Sequence, residues 1–415
     1  MHLFTSRFVD RPEHVVELPG SVSTPQGFMA SGIAAGLKKS GKTDLGLLVC
    51  REACSSATLF TTNAAAAAPV IVSRDETTKG ALQGVVVNSG SANACTGKQG
   101  LDDARQMVKL AAAETGVDPG HMAVASTGVI GQLLPMESVE PGISYAAGML
   151  TGFGGGDFAE AIRTTDKIDK DGAVEVSLSG GMVRIGACAK GAGMIAPNMA
   201  TMLAFVTTDA AVPASLLKSL LVQAVEVSFN SMTVDGDMST NDCIFVLASG
   251  KSGVAVDQDT GDAQLFGDAL SAVCKGLALK MVADGEGATK VVELNVAGAA
   301  NSGEAEAVAR AISNSTLVRT AFYGRDPNWG RIMASTGAAL AGEPELRADI
   351  YYEEVCLVRD GAPSREAPDA ERLNEIMAQP EISVTLDLKR GKASHTMYFS
   401  DLTHDYVTLN AEYTT

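Results

Sequence analysis

The sequence predicts an α/β protein in which helical layers cover mixed β-sheets. Two observations support this fold class. Short runs rich in β-branched residues alternate along the chain with longer stretches of helical periodicity. In addition, the apolar runs at 174–178 and 182–185 are joined across Ser179-Gly-Gly, which is typical of a β-hairpin. Part of the sheet should therefore be antiparallel.

The individual elements follow from local patterns. The strand candidates are short and apolar, and turn-forming residues flank many of them. They lie at 45–49, 69–72, 85–87, 174–178, 182–185, 203–206, 244–247, 291–296 and 382–386. The helix candidates, several of which begin at Asp, Pro or Ser, lie at 102–114, 214–227, 263–283, 304–312 and 370–377. No repeat or long polar linker divides the chain of 415 residues.

Composition and charge exclude several classes of function. The net charge of −17 argues against nucleic acid or an anionic membrane as a partner, since both attract positive charge, and it favours cationic small ligands. Seven cysteines without a Cys-x-x-Cys pair do not suggest a disulfide framework, so we expect a reducing cytoplasm. The first residues lack the apolar core of a signal peptide, and the apolar run 64–72 is too short to cross a bilayer.

Thr201 is the strongest candidate for a nucleophile, because it follows the glycine-rich segment 190–200. A threonine hydroxyl is weak by itself, but at a chain N-terminus the free α-amine serves as its base. The sequence therefore predicts self-cleavage of the bond between Ala200 and Thr201, giving chains 1–200 and 201–415 that stay interwoven. A glycine-rich loop that simply enters a buried strand would produce the same pattern, and the residues alone leave both interpretations open.

Several separate segments, in order, resemble those of the ornithine acetyltransferase family, also called bifunctional glutamate N-acetyltransferase. The similarity runs nearly end to end. The segments are 88–97, 126–131, 164–166, 190–203, 239–242, 284–290, 324–331, 401–404, 406–407 and 410–415. The resemblance implies a self-cleaving threonine-nucleophile acyltransferase fold. No catalytic role is evident for the segment 326–330, which carries the only tryptophan.

An acyl-transfer site needs hydrogen-bond donors where negative charge develops, and Thr127 with Gly128 can supply them. Without the resemblance, these two residues could equally form a strand-ending turn. The resemblance implies that they form the oxyanion hole.

A fixed cation and a carboxylate suit the two ends of an amino acid. Lys190 would bind the substrate carboxylate and Glu286 its ammonium, with Asp284 the weaker candidate. By residue type alone, both could be solvated surface charges. The resemblance adds further substrate contacts. These are Thr164 or Thr165, with Thr164 preferred, and Asn410, Thr201 and the terminal Thr415.

The family's reaction is a ping-pong transfer. Thr201 would take the acetyl group from N-acetylornithine and pass it to glutamate, with no cofactor, and acetyl-CoA is a further donor in some members. The resemblance also implies a heterotetramer of two α and two β chains. A self-cleaving aminopeptidase or amidohydrolase with an N-terminal nucleophile is the alternative, because water could resolve the acyl-enzyme instead.

Two competing motifs lack the right context. The segment 36–43 matches the phosphate-binding P-loop pattern formally, but a strand-like run follows it where a helix should begin, so a lysine-rich hairpin turn is the simpler interpretation. The segment 235–239 begins like a calcium loop, yet Thr240 and Val246 replace the required Gly and Glu. The five histidines form no cluster with ligand spacing, and we expect no metal.

Overall fold

The computed structural model describes residues 2–196, 202–258, 260–343, 346–365 and 368–412. The strands of these residues are β1 Val15–Leu18, β2 Phe28–Ile33, β3 Leu45–Cys50, β4 Ser55–Phe60, β5 Gly84–Ser91, β6 Met122–Val129, β7 Lys170–Leu178, β8 Gly181–Lys190, β9 Leu203–Thr208, β10 Met232–Thr233, β11 Cys243–Ala248, β12 Val291–Ala299, β13 Asp349–Tyr352, β14 Val355–Arg359, β15 Ala362–Pro363, β16 Glu381–Asp387 and β17 Ala393–Ser400. The helices are α1 Ala68–Asp75, α2 Gly97–Thr115, α3 Met136–Gly148, α4 Gly155–Ala161, α5 Ala214–Glu226, α6 Gly261–Ala283, α7 Ser302–Ser313, α8 Thr316–Tyr323, α9 Trp329–Ala339, α10 Ala370–Ala378 and α11 His404–Glu412.

Three mixed sheets organise the described residues. The six-stranded sheet has the order β1-β7-β8-β9-β11-β4, and the four-stranded sheet has the order β2-β3-β5-β6. The seven-stranded sheet has the order β10-β17-β12-β16-β13-β14-β15. Parallel pairs such as β9 with β11 occur beside antiparallel pairs such as β7 with β8. The predicted fold class, mixed sheets with helical layers, is confirmed.

The six-stranded and four-stranded sheets pack face to face between two helical layers. Along β9, Leu203 and Phe205 join the core between the sheets, whereas Ala204 and Val206 pack in the core with α5 and α6. The opposite face of the four-stranded sheet packs against α1, α2 and α3. Because successive side chains of a strand point to opposite faces, strands buried on both faces are apolar throughout.

The seven-stranded sheet forms a further layer at the C-terminal end of the chain. Its inner face, which includes Val292 and Leu294 of β12, packs against α7, α8, α9 and α10. Tyr398 of β17 instead belongs to the core around α6, so the two parts of the molecule share apolar contacts. The C-terminal helix α11 follows soon after β17, and its residues Tyr406 and Asn410 lie around the same cavity as Thr127 of β6 and Lys190 of β8.

The structure confirms most sequence-predicted elements, including the antiparallel hairpin of β7 and β8, in which Val174 pairs with Ile185. The predicted strand at 69–72 is wrong, since these residues lie in helix α1. Pro69 occupies the first turn of that helix, where a missing N–H costs nothing. A short apolar run bounded by proline does not by itself distinguish a strand from a buried helix.

Candidate active site

A cavity of about 430 Å³ lies where the ends of several strands and loops meet. It brings together the sequence-predicted site residues that the structure describes, with the exception of the weaker candidate Asp284. These are Thr127, Gly128, Thr164, Thr165, Lys190, Glu286 and Asn410. Three further predicted residues, Ala200, Thr201 and Thr415, lie outside the described residues.

The predicted oxyanion residues Thr127 and Gly128 lie near the end of β6, which pairs in parallel with β5. The register shifts at Gly90 and Ser91 of β5, which is a bulge opposite these residues. Gly128 has a φ of +133°, and a Cβ placed on it would lie 2.4 Å from the carbonyl carbon of Gly90. Only glycine therefore fits at this position without displacing the backbone.

Lys190 ends β8 and is only 3% exposed, so it is not a solvated surface charge. Its Nζ donates to Oγ1 of Thr127 over 3.3 Å. Burial lowers the pKa of Lys190, while the carboxylate of Asp166 acts in the opposite direction. The cavity therefore contains a buried cationic group beside the predicted oxyanion hole.

A buried ion-pair network, which sequence reasoning missed, supports that lysine. Nζ of Lys170 lies 2.7 Å from Oδ1 of Asp166 and 2.5 Å from Oδ2 of Asp284. Asp166 also accepts hydrogen bonds from the backbone N–H groups of Gly191 and Thr164, at 2.7 and 3.1 Å. Burial acts to raise the pKa of Asp166, but Lys190 and Lys170 hold it well below its ordinary value. The network therefore joins the loop at Thr164 to the chain after Lys190.

Glu286 lies across the cavity and is partly buried. Its Oε2 accepts a hydrogen bond from Nδ2 of Asn410 over 2.9 Å, so helix α11 reaches the site. The backbone N–H of Glu286 donates to the carbonyl of Ala192 over 2.8 Å. A Cβ on Gly193 would lie 2.6 Å from the carboxylate carbon of Glu286, so glycine leaves room for that side chain. Asp284, the weaker sequence candidate, is instead paired with Lys170.

Asp235 is a further cavity residue whose role the sequence did not indicate, because its segment resembles a calcium loop only in part. Its two carboxylate oxygens accept from the backbone N–H groups of Met194 and Ile195, at 2.6 and 2.8 Å. Burial raises the pKa of Asp235 to about 6. The hydroxyl of Tyr406 in α11 donates to the same carboxylate over 3.4 Å. Asp235 therefore anchors the chain that follows Lys190.

The P-loop interpretation of 36–43 is excluded by the structure around it. This segment connects the antiparallel strands β2 and β3, and no helix begins at Lys42 or Thr43. The carboxylate of Asp44 accepts the backbone N–H groups of Ala35, Leu37 and Lys38 instead. The hairpin interpretation is confirmed.

The described ranges contain neither a candidate metal site nor a candidate membrane-spanning helix. Within these ranges, no three His, Cys, Asp or Glu side chains are grouped so that they could hold a metal ion. No helix of the same residues is long and apolar enough to cross a membrane.

Comparison with known proteins gives a consistent result over nearly the whole chain. The ArgJ family matches residues 29–415. The "Arginine biosynthesis bifunctional protein ArgJ" of Symbiobacterium thermophilum is 47% identical over 401 residues, which are 96% of this chain and 99% of the relative. The protein of the same name from Bacillus subtilis is 42% identical and covers 97% of this chain and 98% of its own.

A solved structure is also similar in sequence. The ornithine acetyltransferase of Mycobacterium tuberculosis, in complex with ornithine, is 36% identical, with a TM-score of 0.41. The match covers 44% of this chain and 98% of that one. The predicted resemblance is confirmed by the sequence relatives, and the chain belongs to the ArgJ family.

Proposed function

We propose that this enzyme of the ArgJ family moves an acetyl group from N-acetylornithine to glutamate through an acetylated Thr201. Its relatives are named proteins of arginine biosynthesis, and one solved relative is an ornithine acetyltransferase that binds ornithine. The observation that carries the proposal is the cavity in which a buried lysine, a carboxylate and the strand end at Thr127 and Gly128 meet. Both substrates are amino acids, so one such cavity suits them in turn.

Charge complementarity supports the substrate roles. Lys190 would pair with the carboxylate of the bound substrate. Glu286 would pair with the ammonium group of the ornithine side chain, or with the amino group of glutamate when glutamate binds. Lys190 is already desolvated, so its interaction with a bound carboxylate is only weakly screened by water. Thr164, Thr165 and Asn410 line the same cavity and would add hydrogen bonds. Thr415 would join them from the C-terminus.

Activation would begin with self-cleavage. The hydroxyl oxygen of Thr201 adds to the carbonyl carbon of Ala200, the peptide C–N bond breaks, and the hydroxyl proton passes to the released nitrogen. Water then hydrolyses the resulting ester, which frees the hydroxyl beside a new α-amine. The products are the chains 1–200 and 201–415. The two chains remain packed together, because β9 and β11 of the second chain lie between β8 and β4 of the first in the six-stranded sheet.

Transfer would then proceed in two halves. The α-amine of Thr201 takes the hydroxyl proton as the oxygen attacks the acetyl carbonyl, and delivers it to the nitrogen of the leaving ornithine. The amine of glutamate next attacks the acetyl ester and regenerates Thr201. Thr127 and Gly128 would stabilise the oxyanion in both halves, and Lys190 would keep the hydroxyl of Thr127 oriented at 3.3 Å.

The relatives are called bifunctional, and this favours acetyl-CoA as a second acetyl donor for glutamate. An assay with acetyl-CoA but no acetylornithine tests this second donor. A protein that acetylates glutamate only from acetylornithine would be monofunctional.

We further propose a cytoplasmic heterotetramer of two α and two β chains. Size-exclusion chromatography with light scattering tests this assembly.

The first experiment is the intact mass of the denatured protein, followed by an assay with acetylornithine and glutamate. We expect two fragments, the second beginning at Thr201, and formation of ornithine together with N-acetylglutamate. Thr201→Ala should leave one uncut chain without transferase activity. Free acetate in place of N-acetylglutamate would contradict the transferase and favour an amidohydrolase with the same nucleophile.

A further inference from the structure

The segment 239–242, directly before β11, is buried, and its first three residues line the cavity, but it has no part in the mechanism above. Its residues Asn241 and Asp242 are 4% and 0% exposed. Burying a polar side chain costs free energy unless it forms hydrogen bonds. The hydrogen-bond partners of Asn241 and Asp242 therefore indicate the role of these two residues. These partners lie in, or directly next to, strands of two different sheets.

The Asn241 side chain reaches towards the four-stranded sheet. Its Nδ2 donates to the carbonyl oxygens of Ala92 and Ser126, at 2.7 and 2.8 Å. Its Oδ1 accepts from the hydroxyl of Thr240 over 2.6 Å. The orientation of the amide is therefore determined, because a carbonyl can only accept. Ser126 immediately precedes Thr127, so Asn241 holds the backbone at the predicted oxyanion hole.

The side chain of Asp242 reaches the residue directly before β9 of the six-stranded sheet. Its Oδ1 accepts from the backbone N–H of Met202 over 2.8 Å, and Met202 directly follows the proposed nucleophile in sequence. The carbonyl of Met202 in turn accepts from the N–H of Cys243 over 3.1 Å. Two adjacent residues thus contact the chain beside the oxyanion residues and the chain beside position 201.

We propose that Asn241 and Asp242 are positioning residues that keep the oxyanion strand β6 in register with the nucleophile at the start of the second chain. This inference rests on the proposed function. After cleavage, Ser126 and Met202 belong to different chains, and the Asn241-Asp242 pair bonds to both. Misplacing reacting groups by about 1 Å can cost about 100-fold in rate, so such a connection has catalytic value.

Burial also raises the pKa of Asp242. The backbone N–H of Met202, the charge of Lys190 and the hydroxyls of Ser239 and Thr61 act in the opposite direction, because they favour the ionised carboxylate. Among the described residues, Oδ2 of Asp242 has no hydrogen-bond partner. The bond to Met202 requires only an oxygen acceptor, not a charge. Asp242→Asn should therefore preserve the positioning role, whereas Asp242→Ala should remove it.

The test for Asn241 compares Asn241→Asp with wild type. The substitution keeps the shape but removes both N–H donors. We expect kcat per cleaved molecule to fall by about 100-fold, with KM for both substrates within about twofold. Thr336→Val serves as a control because it also removes one buried hydrogen bond, in α9 within the distant core of the seven-stranded sheet. Its kcat should equal that of wild type even where the melting temperature falls.

A kcat for Asn241→Asp within about threefold of wild type, together with a lower melting temperature, would show a structural role only and overturn the proposal. If Asn241→Asp does not fold, Asn241→Ala provides the same comparison.

The test for Asp242 measures the rate of self-cleavage. Asp242→Asn should cleave like wild type, and Asp242→Ala should cleave much more slowly. Equal cleavage of Asp242→Ala and wild type would also contradict the role. A wild type that transfers no acetyl group would instead refute the proposed function.

Discussion

The Nζ of Lys190 lies 3.3 Å from Oγ1 of Thr127, and both side chains are buried. Lys190 ends a strand of the six-stranded sheet and Thr127 lies in a strand of the four-stranded sheet. The contact therefore spans the two sheets that enclose the core between them. It places a cation beside the hydroxyl that we propose as an oxyanion donor. Because Nζ of Lys190 donates to this oxygen, the hydroxyl proton of Thr127 is left to donate to the oxyanion.

Removing that cation should weaken substrate binding. Lys190→Met keeps the length of the side chain but removes its charge, so a bound carboxylate loses a charged hydrogen-bond partner. We expect KM for glutamate to rise by roughly tenfold or more. Steady-state kinetics on the cleaved protein measures this change. Lys109→Met, in the exposed face of α2, is the matched control and should leave KM unchanged.

Gly193 should control the position of Glu286. Gly193→Ala places a methyl group 2.6 Å from the carboxylate carbon of Glu286 and must displace that side chain. We expect roughly a tenfold loss of kcat/KM, because the displaced carboxylate can no longer pair with a substrate ammonium. Gly156→Ala in α4 meets no atom within 4 Å and should behave like wild type. An unchanged kcat/KM for Gly193→Ala would contradict the role of Glu286.

The buried network at Lys170 should be important for stability. Lys170→Met leaves the carboxylates of Asp166 and Asp284 without their shared cation, and breaking such a buried pair typically costs about 3–5 kcal/mol in free energy of unfolding. Urea denaturation measures this loss. Arg105→Met removes only the exposed pairs with Glu76 and Asp102, so it should leave the free energy of unfolding almost unchanged.

Asp235 should make stability depend on pH. Burial raises its pKa from 3.8 to about 6 in the folded protein, so the folded state binds the proton more tightly than the unfolded state. The stabilisation that proton binding by Asp235 adds to the folded state is fully present below pH 3.8, and it is lost as pH rises towards about 6. Relative to Asp235→Asn, wild type should lose on the order of 3 kcal/mol across this window and remain constant above it. Parallel stability curves for the two proteins would show that Asp235 does not titrate in this way.

Sequence reasoning located the strands that carry the site, because apolar runs such as 203–206 and 244–247 are buried on both faces and must be hydrophobic throughout. It was wrong at 69–72, where three apolar residues and a proline suit either a strand or a first helical turn. It also did not find helices α8 and α9 around the segment 324–331. Local propensity does not decide such cases, since tertiary packing determines which conformation buries more apolar surface.

The sequence by itself determined the family, the candidate nucleophile and the residues proposed to contact substrate, because each lies in a motif that can be recognised along the chain. Only the tertiary structure decided how these motifs are joined. The pairing of Lys170 with Asp166 and Asp284, and the bonds from Asn241 to Ala92 and Ser126, connect residues from distant segments. Such contacts depend on how sheets and helices pack together, and a buried polar group leaves no periodic pattern in the sequence that identifies its partner.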